Sequence, residues 1–182
     1  DYYEYLAVYV DDIMIASKDP QAIISQLEGA PNNFKLKGTG PISYHLGCDF
    51  YRDGEGTLCM APKRYIEKMV ESYKRMFGTM PPTRARSPLE SNDHPELDDS
   101  PLLDEDGIRS YQSLIGTLQW AISLARFDIA TAVMSMSSFR VAPREGHLER
   151  MKRICGYLHQ LNQEYIRVRT DEPDFSPLQP MK

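Results

Sequence analysis

Residues 5–17 read YLAVYVDDIMIAS, and two adjacent carboxylates, Asp11 and Asp12, interrupt a run otherwise suited to burial. Leu6-Ala7-Val8-Tyr9-Val10 precede them and Ile13-Met14-Ile15-Ala16 follow. Two neighbouring anions in an apolar setting are costly unless something compensates them. A hairpin resolves the conflict: strands over 3–10 and 13–16, with a tight turn at Asp11-Asp12, hold the carboxylates out at a tip. The apolar flanks then serve as a buried mount that keeps the tip rigid.

Working outward, Asp19-Pro20 supplies a helix cap and a first-turn proline, opening a short helix through Ile23, Ile24 and Leu27 toward Gly29. Phe34-Lys35-Leu36-Lys37 alternates like a short strand. Residues 42–51 (ISYHLGCDFY) and 57–60 (TLCM) predict a second hairpin around Asp53-Gly54-Glu55-Gly56. Pro62 opens a helix in which Tyr65, Ile66, Met69, Val70, Tyr73 and Phe77 recur at helical spacing, and Gly78 closes it.

Beyond residue 107 three apolar faces follow helical periodicity: Tyr111, Leu114, Ile115, Leu118 and Ile122; Ile129, Val133 and Met136; Leu148, Met151, Ile154, Leu158 and Leu161. Trp120 falls within the first of these helical runs and reads as core rather than as a platform for bases. Tyr165–Arg169 alternates like a last strand. Pro173, Pro177 and Pro180 then predict a loose tail. The fold class expected is α+β.

The composition, 41% hydrophobic and 26% charged, is that of a globular chain able to bury a core. No apolar run is long enough to span a bilayer, so no membrane partner is expected. Cys48, Cys59 and Cys155 make no metal-type pair and read as reduced thiols of an intracellular protein. His94, His147 and His159 have no Cys or His partner at metal spacing and read as non-ligands. The chain starts at Asp1 and enters a strand almost at once, which reads as a piece of a longer polypeptide.

The net charge of −5 is unevenly placed. Ser87–Gly107 carries eight acids, no Lys or Arg, and three prolines, and reads as a solvated linker. Without those acids the remainder is about +3. Basic residues gather at Lys63, Arg64, Lys68, Lys74, Arg75, Arg84 and Arg86, and again at Arg140, Arg144, Arg150, Lys152 and Arg153. Either group has the charge to meet phosphates, although a solvated helix face is the better reading of each taken alone.

Paired carboxylates on a rigid turn suit a hard cation: Mg²⁺ takes oxygen ligands, usually one or two carboxylates plus water and substrate phosphates. Two such ions about 3.5–4 Å apart support in-line phosphoryl transfer. An ordinary Asp-rich turn is the simpler alternative.

Tyr9-Val10-Asp11-Asp12 resembles the YxDD signature of reverse transcriptases, in the Val form familiar from copia-type retrotransposon polymerases. Downstream blocks repeat the likeness in the same order. Residues 34–47, FKLKGTGPISYHLG, resemble the segment that leads to the primer-grip hairpin. Residues 111–134, YQSLIGTLQWAISLARFDIATAVM, resemble the family's Y-x-S-L-x-G-x-L-x-Y…RPDI block. Residues 147–158, HLERMKRICGYL, resemble its H-x-x-x-x-K-R-I-x-x-Y-L block. The likeness runs from about residue 3 to about residue 169.

The resemblance implies the C-terminal part of a polymerase palm with the primer grip over 1–61, then a thumb-like helix over 62–86. The acidic linker over 87–107 follows, then a helical thumb/connection region over 108–164. Residues 165–182 would be a strand and tail leading toward an RNase H-like domain. Asp11 and Asp12 match the catalytic pair that binds two Mg²⁺ (Mn²⁺ as substitute), with a third Asp expected upstream of Tyr2. Tyr9 and Val10 would lie by the primer terminus and nascent pair. Tyr44, His45, Leu46 and Gly47 would form the primer grip, His45 replacing the more usual Phe. Lys35 or Lys37 matches a lysine that helps protonate pyrophosphate, and the spacing to Gly47 does not choose between them; for each, a solvated strand lysine is the better reading. In Arg126-Phe127-Asp128-Ile129, Phe127 replaces the usual Pro, and Asp128 is expected as a helix N-cap with a structural role.

The implied partners are an RNA template, a DNA primer, dNTP and the RNA–DNA hybrid. A cytoplasmic, particle-borne setting is implied as well, with the cDNA bound for the nucleus. The segment alone is expected to be inactive. The alternatives are a non-catalytic nucleic-acid-binding remnant of a decayed or domesticated element, and a purely structural α+β domain with an acidic hairpin.

Overall fold

The computed structural model describes residues 3–169, and the expected tail with its three prolines lies outside them. Helix and sheet are mixed, and the chain divides into two units, one ending at His45 and the other starting at Leu46.

The first unit holds an antiparallel hairpin of β1 (Tyr5–Tyr9) and β2 (Asp12–Ala16). Next comes α1 (Pro20–Glu28), where Asp19 caps the helix by accepting the Ala22 N–H at 3.1 Å. The short strand β3 (Tyr44–His45) closes the unit. Residues 34–37 form no strand, contrary to expectation. The segment runs between two residues with positive φ, Asn33 (51°) and Gly38 (69°), and alternation alone gives no ladder partner for its backbone.

The second unit begins with β4 (Cys48–Arg52) and β5 (Leu58–Ala61), paired antiparallel around the expected turn. Asp53 fixes that turn by accepting the Glu55 and Thr57 N–H groups, both at 3.0 Å. The final strand, β6 (Ile166–Val168), pairs antiparallel with β5. The strand expected over 42–51 is broken, because Leu46 (φ 51°) and Gly47 (φ 98°) occupy the left-handed region in succession.

Helices α2 (Lys63–Phe77), α3 (Glu105–Ser123), α4 (Ala130–Ser137) and α5 (Glu145–Gln160) enclose the core. Their buried stripes are those the periodicity predicts: Ile66, Met69, Val70 and Tyr73; Tyr111, Leu114, Ile115 and Leu118; Val133 and Met136; Met151, Ile154 and Leu158. Gly78 ends α2 with φ 72°, and Asp104 caps α3 by accepting the Gly107 N–H at 2.8 Å. Cys48, Cys59 and Cys155 are free and buried. Burial pushes the Cys155 thiol up to about 12, so it is a packing group rather than a nucleophile.

The acidic stretch differs from the solvated linker expected. It lies along α5 as a strap. Arg150 forks onto Asp93 (2.7–3.0 Å) and reaches Asp98 at 2.5 Å, while Arg153 binds Glu90 and the Ser87 carbonyl. Ser100 accepts the Gly146 N–H, and Arg144 donates to the Ser100 carbonyl. His147, nearly fully buried, accepts the Arg144 N–H on Nδ1 and donates from Nε2 to the Pro95 carbonyl at 2.9 Å. The strap's acids therefore neutralise α5 from within.

Asp128 is structural, as expected, but not as a cap. It forks onto Arg126 (2.7 and 2.9 Å), whose guanidinium is buried and also donates to the Leu161 carbonyl. The helix begins without a side-chain cap, because the carboxylate is committed to a buried cation that would otherwise lie unpaired.

Candidate active site

Tyr9 pairs with Asp12, so the hairpin loop is the two-residue Val10-Asp11, one residue earlier than the expected turn. Val10 takes φ 53°, a position where hairpins of this length usually place Gly and where a β-branched residue is strained. The register puts Leu6, Val8, Ile13 and Ile15 on one face. Tyr9, Asp12, Ala7 and Met14 share the other. Asp11 thus sits in the turn itself and Asp12 opens β2, leaving both carboxylates exposed at the tip.

The flanks are not the buried mount expected. Tyr5, Leu6, Val8, Tyr9 and Val10 are exposed, Val10 by 81%. A two-stranded hairpin cannot cover both its own faces; that takes a third strand or a second layer.

Of the candidate grip residues, His45 lies by the aspartate pair: its Nδ1 is 3.9 Å from the Asp12 carboxylate, and its ring is largely shielded. Tyr44 is exposed, and Lys35 and Lys37 are exposed on their irregular segment. Nothing in the structure chooses between those two lysines.

Leu46 and Gly47 belong to the second unit. A Cβ on Gly47 would come within 3.0 Å of Leu124 Cδ1, 3.6 Å of Trp120 Nε1 and 3.7 Å of Tyr65 Cδ2. Gly47 is therefore required twice, by its φ and by its neighbours. Tyr65 is held by its hydroxyl, which donates to the Thr117 carbonyl at 2.8 Å. Trp120, expected in the core, is 43% exposed, because it falls outside the Tyr111-Leu114-Ile115-Leu118 stripe of its own helix.

The two basic groups part company. On α5, Arg150, Lys152 and Arg153 are all ion-paired. On α2, Arg64 pairs with Asp49, while Lys63 and Lys68 are exposed and enter no ion pair among the described residues.

As a cation site, the tip offers two exposed carboxylates, a donor set suited to Mg²⁺ or Mn²⁺. Among the described residues no cluster of three His, Cys, Asp or Glu is assembled that could hold a metal. The chemistry of the pair fits the ion, of whose shell it would supply part.

Comparison with known proteins gives a consistent set of relatives. The chain is 29% identical over 168 residues to the putative transposon Ty5-1 protein of Saccharomyces cerevisiae, covering 91% of this chain and 52% of that protein. It is 32% identical over 157 residues to the retrovirus-related Pol polyprotein from transposon RE1 of Arabidopsis thaliana, covering 85% of this chain and 10% of the polyprotein. It is 31% identical over 160 residues to the corresponding polyprotein from transposon TNT 1-94 of Nicotiana tabacum, covering 84% and 12%. The chain thus spans about half of the yeast relative and about a tenth of each plant polyprotein. No family model matches it, and neither does any solved structure.

Proposed function

We propose, for a chain that belongs to the Pol polyproteins of copia-type retrotransposons, that it is the part of their reverse transcriptase bearing the YVDD hairpin. The observation that carries this reading is the hairpin tip: adjacent carboxylates exposed at the end of paired strands, with Tyr9 directly opposite Asp12.

In this reading Asp11 and Asp12 hold the ions, and a further carboxylate comes from outside the described residues. Mg²⁺ held by Asp11 and Asp12 would supply Lewis acidity toward the primer hydroxyl and the leaving pyrophosphate. The chain's own side chains do the placing. Cross-strand pairing fixes Asp12 relative to Tyr9, and His45 shields one side of the Asp12 carboxylate. Tyr9 and Val10, exposed beside the carboxylates, are positioned to touch the primer end and the nascent pair. Tyr44–Gly47 serves as the grip on the primer in this reading, and RNA template, DNA primer and dNTP are the substrates.

The second reading, a nucleic-acid-binding remnant without catalysis, draws on the exposed cations of α2 and on a metal shell that is only partly assembled. Template-directed primer extension separates the two. Incorporation is expected when the segment is joined to an upstream part of a related polyprotein, with Asp11→Asn abolishing it. Activity that survives Asp11→Asn and Asp12→Asn would sink the metal assignment.

A further inference from the structure

We infer that Trp120, beside the Gly47 turn, is a contact for one strand of the bound RNA–DNA hybrid. This rests on the polymerase reading and deepens it by adding a residue of α3 to the strand-holding surface.

Three observations carry it. First, the indole is exposed although its helix is otherwise sorted cleanly. The stripe Tyr111, Leu114, Ile115, Leu118 and Ala121 is buried, and Trp120 points away from it. Second, the polar edge of the ring is unused. Tyr111 and Tyr65 each donate to a carbonyl, at 2.7 and 2.8 Å, whereas the Trp120 N–H has no acceptor among the described residues. An amphipathic ring with a spare donor suits a partner with both a stackable face and acceptor oxygens. Third, the ring adjoins the candidate grip turn: the place a Cβ on Gly47 would take lies 3.6 Å from Trp120 Nε1 and 3.7 Å from Tyr65 Cδ2, so the indole sits between that turn and α2.

Charge selects the occupant. Tyr65 bridges this spot to α2, and Lys68 lies one helical turn beyond Tyr65, with Lys63 and Arg64 just before it. An exposed aromatic ring on α3, with exposed lysines on the helix that carries Tyr65, is a composition that binds a nucleic-acid strand, the base or sugar on the ring and the phosphates on the lysines. α5 is less suited to this part, because Arg150 and Arg153 pair with the strap and Lys152 with Glu149 of its own helix.

Trp120 is the only tryptophan, so the chain carries its own reporter. The test titrates the chain with an end-labelled RNA–DNA hybrid at low salt, following label anisotropy and tryptophan emission together. Both signals are expected to saturate at the same concentration. Trp120→Ala should weaken binding about 5- to 100-fold and Trp120→Phe less, since a ring remains for stacking. Phe127→Ala, an exposed aromatic elsewhere, should leave binding unchanged, and circular dichroism confirms that each variant is folded. Anisotropy that rises while emission stays flat, with Trp120→Ala binding as tightly as the parent, overturns the inference and leaves the polymerase reading intact. Absence of any binding by the parent chain also overturns it. The polymerase reading itself stands or falls separately, on whether primer extension depends on Asp11 and Asp12.

Discussion

The Asp12 carboxylate lies 3.9 Å from Nδ1 of His45, so the hairpin tip touches the strand that leads into the expected primer grip. In an extension-competent polyprotein fragment, Asp11→Asn and Asp12→Asn should each cut incorporation by on the order of 100-fold or more. His45→Phe should cost under about 10-fold, because it removes a neighbour of the proposed ligand Asp12 rather than that ligand itself. Steady-state rates with a labelled primer decide this, and an inert His45→Phe would give the ring a larger role than shielding.

Asp98 and Asp93 tie the strap to Arg150. Hydrogen bonds from Ser100 and Arg150 hold the Asp98 carboxyl at about 2, and Arg150 holds Asp93 below the usual range. Both are depressed relative to the unfolded chain, so their contribution is present above about pH 4 and is lost as pH falls toward 2. Asp98→Asn should therefore cost about 2 kcal/mol at pH 7 and almost nothing near pH 2. Urea unfolding at the two pH values measures the difference.

Arg126 is buried, with Asp128 as its counter-ion. Arg126→Ala leaves that carboxylate half-covered and unpaired, at a cost of about 3–5 kcal/mol. Lysine should rescue only part of this, since it cannot reproduce the two-pronged bond. Thermal melting of the three proteins gives the ranking, and equal stability of the Lys form would show that charge alone suffices.

Gly156 packs its Cα against the Pro82 carbonyl, where a methyl group has no room. Gly156→Ala should destabilise by about 3 kcal/mol, because the obstacle is backbone rather than a flexible side chain. Gly116→Ala, in open space on α3, should stabilise slightly by improving helix propensity. Paired denaturation curves test both signs at once.

The helical core was legible because its signal is local and repeated: every buried stripe from Ile66 to Leu158 follows from 3.6-residue spacing. Asp19, Gly78 and the Asp53 turn were readable for the same reason, each being decided within about five residues. What escaped depended on partners distant in sequence. The strap looked solvated because its acids meet Arg150 and Arg153 more than fifty residues away. Asp128 looked like a cap because nothing local says that Arg126 is buried. Trp120 keeps apolar company in the sequence, yet two residues past Leu118 on a helix is nearly the opposite side. The hairpin was readable as a hairpin; its exposure was not, because apolar side chains declare a wish for burial without naming what buries them.

That exposure gives the hairpin a second character. Among the described residues β1 and β2 pair only with each other, and two short strands with apolar side chains on both faces and open edges form a template to which an extended chain can add. The segment that positions the carboxylates is thus also the one most prone to self-association. A concentrated solution of this chain should aggregate through residues 5–16 first, and a charge placed at Val8 should slow that aggregation without disturbing the helical unit. The tip's chemistry and the chain's solubility are drawn from the same twelve residues, so selection on one constrains the other.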